Sequence, residues 1–154
     1  TLREVFELLK ETGMKCNIEF KTGVYEYPDI ERKVLALIDE FGFRDRIIVS
    51  SFNHFTCCRF KELAPDVKIG FLEESWLIHP GAYTRARGAE CFHPFFNMLN
   101  HENMQDLRNN GIEINAWTIN DEKDMRKALH LQLEIGITNW PDKFLEIRKE
   151  VCGK

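Results

Sequence analysis

Asn17-Ile18-Glu19-Phe20-Lys21 divides two kinds of chemistry along one short β-forming stretch. Side chains alternate across a strand, so Asn17, Glu19 and Lys21 share one face and Ile18 and Phe20 share the other. In one unit of a parallel barrel the outer face meets helices and must be apolar, which Ile18 and Phe20 satisfy. A carboxylate and an ammonium then point inward near the strand's C-terminal end. Burying such charges is costly unless they are paired or hold a metal. Two readings follow: a structural Glu19–Lys21 ion pair, or a metal-binding carboxylate beside a phosphate-binding cation.

The stretch Glu113-Ile114-Asn115-Ala116-Trp117-Thr118 repeats the arrangement. Ile112, Ile114 and Ala116 are expected against helices, with Glu113, Asn115 and Trp117 on the inner face. Trp117 lies near the strand's C-terminal end, where it either walls a ligand pocket or packs in a core with its indole N–H bonded. Cys91 and His93 share a face of another short strand, and Pro94 follows them. The other histidines, His54, His79, His101 and His130, fall on helices or loops and receive no role.

Outward from these strands, β-rich runs alternate with amphipathic helices, without a linker or low-complexity break. Val5, Leu8 and Leu9 lie at helical spacing between Leu2 and Lys10, and Gly13 is the expected stop. Ile30, Val34, Leu37, Ile38 and Phe41 mark a second helix ending at Gly42. The run Arg46 to Ser51 is of the kind buried in parallel sheets. Asn53 is placed to cap a helix that Pro65 cannot continue. Further strands are expected at Val67 to Leu72, Glu90 to His93, Ile112 to Thr118 and Ile135 to Thr138. Helices are expected before Gly88, over His101 to Asn109 and Asp121 to Leu131, and from Pro141 to about Val151. The count is one leading helix and six βα units, in a chain of 154 residues that is read as one domain. Two architectures accommodate it: an open doubly wound sheet, or a partial (β/α)8 TIM barrel. Six strands of a barrel leave two open edges, which self-association can cover.

Composition narrows the function classes. Lys plus Arg is 21 and Asp plus Glu is 25, a formal charge of -4. That balance argues against nucleic-acid partners, which need basic surface to displace counterions. No apolar run reaches the length of a transmembrane segment. Five cysteines, Cys16, Cys57, Cys58, Cys91 and Cys152, are odd in number and lack CxxC spacing. They suggest free thiols in a reducing, cytoplasmic compartment, with Cys57 and Cys58 pointing to opposite sides.

Here several stretches together resemble one family. Asn17-Ile18-Glu19-Phe20-Lys21 is similar to the third-strand motif of glycerophosphodiester phosphodiesterases, a Glu and a Lys two apart. Ile48-Val49-Ser50-Ser51-Phe52-Asn53, Phe92-His93-Pro94, Ala116-Trp117-Thr118-Ile119-Asn120 and Ile137-Thr138-Asn139-Trp140-Pro141-Asp142-Lys143 follow in family order. Thr1-Leu2-Arg3-Glu4-Val5 resembles the helix before the family's third strand. The Ser-Ser-Phe-Asn and Trp-Thr-x-Asn stretches favour this family over sphingomyelinase D-like barrels.

The resemblance implies a (β/α)8 barrel that hydrolyses glycerophosphodiesters to glycerol 3-phosphate and an alcohol. It implies a divalent cation, Mg²⁺ or Ca²⁺, held by three carboxylates, and two proton-transfer histidines. By that resemblance Glu19 is a metal ligand and Lys21 neutralises phosphate charge, while Trp117 and His93 bind substrate. The family's His-Arg-Gly triplet occurs nowhere in the chain, and Asn139 stands where the family often has aspartate. The expectation is therefore a barrel lacking its first two strands, with the catalytic histidines and two metal carboxylates missing, and inactive alone. The alternative is a non-catalytic remnant that binds a ligand or a partner.

Overall fold

The computed structural model describes residues 1–153. Helix α1 (Leu2–Lys10) is followed by β1 (Cys16–Glu19), α2 (Ile30–Phe41), β2 (Ile47–Ser51), α3 (His54–Leu63), β3 (Lys68–Glu73) and α4 (Pro80–Ala86). Then come β4 (Cys91–Pro94), a 3₁₀ turn at Phe96–Met98, α5 (His101–Asn109), β5 (Glu113–Ala116), α6 (Glu122–His130), β6 (Ile135–Gly136) and α7 (Pro141–Cys152). The expected six βα units and leading helix are all present.

Strand order decides between the two architectures. Every neighbouring pair is parallel, and the order is β1-β2-β3-β4-β5-β6, each strand laid beside the one before it. A doubly wound sheet needs a switch point at which the order reverses. None occurs here, so the strands form the wall of a half-barrel.

The alternation expected from sequence explains where the core sits. Phe20, Val49, Ile69, Phe71, Phe92, Ile114 and Ala116 project from one face and are buried with Phe6, Ile38, Phe60, Leu107, Met125 and Ile147 of the helices. Aromatic contacts tie the elements: Phe20 meets Phe60 edge-on at 5.7 Å, and Phe6 meets Phe43 at a tilt at 5.3 Å. The opposite, concave face carries the polar set. Among the described residues no helix is long and apolar enough to cross a membrane.

Helix ends mostly follow their residue chemistry. The Asn53 side chain accepts from Thr56 N–H, and Gly42 closes α2 with φ 65°, a conformation glycine adopts freely. The first helix ends at Lys10 as expected, but its cap is Glu11 and not Gly13. The Arg46 guanidinium reaches back from the start of β2 to the carbonyls of Leu9 (2.8 Å) and Met14 (2.6 Å). A cation there satisfies helix-end carbonyls and complements the dipole, so glycine is not required. Strand β6 is shorter than Ile135 to Thr138. Its ladder is nonetheless extended by Ile137 N–H donating to Ala116 O and Ile119 N–H to Ile137 O, both 2.8 Å. All five cysteines are free, and Cys57 is buried while Cys58 is half-buried.

Candidate active site

The polar residues singled out in the sequence collect where parallel strands end, the position from which barrel enzymes work. Glu19 closes β1, and in the ladder it is the partner of Ser50 on β2. Lys21 follows in a segment that is tightly held. Ser51 Oγ donates to Phe20 O at 2.6 Å, Asn53 Nδ2 donates to Thr22 O at 3.2 Å, and the Thr22 and Thr56 hydroxyls share a bond of 2.8 Å. The backbone under Lys21 is fixed, while its side chain is exposed.

The Glu19–Lys21 pair itself is loose. Nζ lies 3.4 Å from Oε1, and the two side chains are 80% and 32% exposed. Alternation had placed both groups inward and buried. They do lie on the inner face, but at β1, the edge strand of the wall, that face is open to solvent. An exposed pair of this kind contributes little to stability, so stability alone does not account for it.

On the other side of the wall, Trp117 combines both roles open to it from sequence. Its indole N–H donates to His93 O at 2.7 Å, while its half-buried ring packs on Phe95 at 5.4 Å and on Phe52 at 5.6 Å, edge to face. His93 lies beneath and is 1% exposed. Its Nε2 is 3.0 Å from Asn115 Nδ2. Burial pushes its pKa down to about 4, against a weak opposing pull from Glu113. The ring is therefore neutral near pH 7, and it serves as a hydrogen-bonding group, not a cation.

Room for the imidazole comes from Gly70 on β3. A Cβ there would stand 2.3 Å from His93 Nε2. Gly70, Ser50 and Phe52 were not singled out as site residues. The available signal was a glycine inside an apolar strand and a serine inside a β-branched run, both on inward positions.

The structure thus gathers His93, Asn115, Trp117 and Phe52 into one group and pairs Glu19 with Lys21 in another. The first group draws on β2, β4 and β5, and the second stands at the end of β1, the neighbour of β2. Among the described residues no three His, Cys, Asp or Glu side chains converge on a point that could hold a metal ion. Ca²⁺ takes six to eight oxygens and Mg²⁺ an octahedral set, so Glu19 alone does not fit either ion.

Residues 1–143 match the model of the glycerophosphoryl diester phosphodiesterase family. The chain belongs to that family. A glycerophosphodiester phosphodiesterase of Caldanaerobacter subterraneus subsp. tengcongensis is 34% identical over 147 residues, covering 96% of this chain and 60% of the relative. One from Bacillus altitudinis is 32% identical over 153 residues, covering 97% and 62%. Among solved structures, a glycerophosphodiester phosphodiesterase from Parabacteroides distasonis superposes with a TM-score of 0.87 at 19% identity, covering 99% of this chain and 65% of that one. An Oleispira antarctica phosphodiesterase, in complex with the product sn-glycerol-3-phosphate, does so with a TM-score of 0.78 at 22% identity, covering 96% and 60%. This family member therefore spans about three-fifths of the length of the relatives it matches.

Proposed function

We propose that this chain forms the larger part of a glycerophosphodiester phosphodiesterase, in which glycerophosphodiesters are hydrolysed to glycerol 3-phosphate and an alcohol. In that reading it is one domain, an incomplete barrel whose first two strands lie outside these 154 residues. The observation that carries the reading is the Glu19–Lys21 pair, on the open concave face at a strand's C-terminal end, in a chain of this family. An exposed ammonium fits a group that meets incoming phosphate, where it offsets charge that grows in the transition state. Trp117 offers an apolar ring edge to the glycerol carbons, and His93 holds that ring through its carbonyl.

The family resemblance adds a divalent cation, Mg²⁺ or Ca²⁺, which when bound supplies Lewis-acid polarisation of phosphate. Within this chain Glu19 is the side chain proposed to touch it. Five free thiols fit a reducing, cytoplasmic setting. A second reading, a non-catalytic ligand- or partner-binding module, draws on the edges β1 and β6, each paired on one side only among the described strands. It predicts self-association through those edges.

The test is glycerol 3-phosphate release from glycerophosphocholine by the natural full-length protein, with Mg²⁺ or Ca²⁺ and with chelator, for wild type, Glu19→Gln and Lys21→Met. Loss of about a hundredfold or more in both variants is expected for groups acting on developing phosphate charge. Release that survives Glu19→Gln at the wild-type rate would remove the assignment. An intact mass matching 18.2 kDa, together with no release, would favour the binding module.

A further inference from the structure

Because all six strands are parallel, every loop that leads from a strand into its helix lies at one end of the wall, the C-terminal end. That end carries most of the strongly exposed apolar side chains. Val24, Tyr25 and Tyr27 follow β1, while Trp76 and Ile78 follow β3. Phe55 stands in the first turn of α3, just past β2, and Trp140 follows β6. Val24 is 86% exposed, Ile78 81% and Phe55 79%. Among the described residues, the loops at the opposite end, leading from helices into strands, carry only Met14 of this kind.

Exposed apolar side chains are ordinary when scattered. These are sorted to one end, the same end that holds Glu19 and Lys21. Added strands would pair at the open edges of β1 and β6. Phe55, Trp76 and Ile78 follow β2 and β3, which are already paired on both sides, so completing the wall does not by itself engage them.

Distribution and charge identify the occupant. The side chains stand on separate loops around the concave face and do not merge into one patch. A protein interface needs a packed core of complementary shape, whereas a lipid surface is fluid and takes up separated studs. Tyrosine and tryptophan, with an apolar body and a polar tip, favour that boundary. Among the described residues, the strand-to-helix loops carry exposed Glu26, Asp29, Glu74 and Asp121 against one lysine, Lys21. An anionic lipid surface repels such a rim. A phosphatidylcholine surface presents its quaternary ammonium outermost, which carboxylates attract and the faces of tyrosine and tryptophan bind by cation–π contact.

We propose that the C-terminal rim of the half-barrel docks on a zwitterionic, choline-bearing lipid surface. Phe55, Trp76 and Ile78 enter the lipid, and Glu26, Asp29 and Glu74 lie among the headgroups. The concave face is then turned toward that surface.

The experiment is co-sedimentation of the natural full-length protein with phosphatidylcholine vesicles, for wild type and for a variant combining Phe55→Ser, Trp76→Ser and Ile78→Ser. All three side chains are exposed, and circular dichroism checks that the variant keeps its fold. Should it not, Trp76→Ser alone serves. The wild type is expected to partition about tenfold or more better than the triple variant, and better onto phosphatidylcholine than onto phosphatidylglycerol. Equal partition of the two proteins, or none, overturns the proposal, and so does a preference for phosphatidylglycerol. Acrylamide quenching of lipid-free wild type, compared with Trp76→Ser, reports the exposure of Trp76. A shielded Trp76 means that another part of the protein or a second copy covers the rim, which also overturns the proposal. Docking does not depend on the phosphodiesterase reading. Its failure leaves glycerol 3-phosphate release from water-soluble glycerophosphocholine untouched, and absence of that release leaves docking standing.

Discussion

Acidifying the protein should cost it stability through His93 before most carboxylates titrate. In the fold the ring is buried and its pKa is pushed down to about 4, whereas an unfolded histidine titrates near 6.5. Above pH 6.5 the ring is neutral in both states and contributes no pH dependence. As pH falls below 6.5 the unfolded chain takes the proton first, so unfolding is favoured. Below 4 both states are protonated and the loss is complete. Two and a half units at about 1.4 kcal/mol each give a loss of about 3 kcal/mol, of which most is reached by pH 4.5. Against a typical total of about 5–15 kcal/mol this is large. The assay is urea unfolding followed by tryptophan fluorescence at several pH values from 7 to 4.5, for wild type and His93→Asn. The variant is expected to start less stable at pH 7 and to lose about 2–3 kcal/mol less on acidification. Exposed carboxylates with lowered pKa, Asp39, Glu40 and Glu122, are common to both proteins and cancel in the comparison. Parallel pH curves, or a His93 ring that titrates near 6.5 by NMR, would refute the reasoning.

Gly70→Ala should destabilise by about 3 kcal/mol, because the new Cβ drives the His93 ring off its bond to Asn115. Adding His93→Ala should recover a good part of that loss, and additive losses in a double-mutant cycle would count against the contact. In a thiol-labelling time course on the folded protein, exposed Cys152 should react first and half-buried Cys16 and Cys58 more slowly. Cys57 and Cys91, buried with thiols pushed up to about 12, should react only on unfolding. Rapid native labelling of all five would contradict the packing.

Most of the strands were legible because their inward and outward residues differ in kind. Ile18 and Phe20 opposite Glu19 and Lys21, and Ile114 and Ala116 opposite Asn115, reported their faces through alternation alone. The choice of barrel wall over doubly wound sheet was not legible from alternation or strand count, and came only through the motifs that resemble the family. It depends on strand order, and every βα unit looks alike locally. The end of α1 at Lys10 was legible but not what closes it: Arg46 is 32 residues from Met14, whose carbonyl it takes. In the site, Lys21 and Trp117 could be picked from their strand-end positions. Gly70 could not, because its significance lies in what fills the space beside it. His54 shows the converse. It received no role, yet its ring stacks on Phe71 at 4.2 Å and its nitrogens meet Tyr83 Oη at 2.8 Å and Leu72 O at 3.0 Å. It joins α3 to the strand beneath and to α4.

The monotonic strand order bears on how the chain reaches this shape. Every strand bonds only to its predecessor and successor, and partners lie about twenty to thirty residues apart. Each new pairing closes a loop of nearly constant size, so the entropic toll of closure barely changes from one unit to the next. Assembly can run as a zipper, the docked strand serving as template for the one that follows, much as in repeat arrays. A nascent chain emerging from its N-terminal side would always find its partner already made. The same geometry leaves the growing end unsatisfied until the last βα unit arrives.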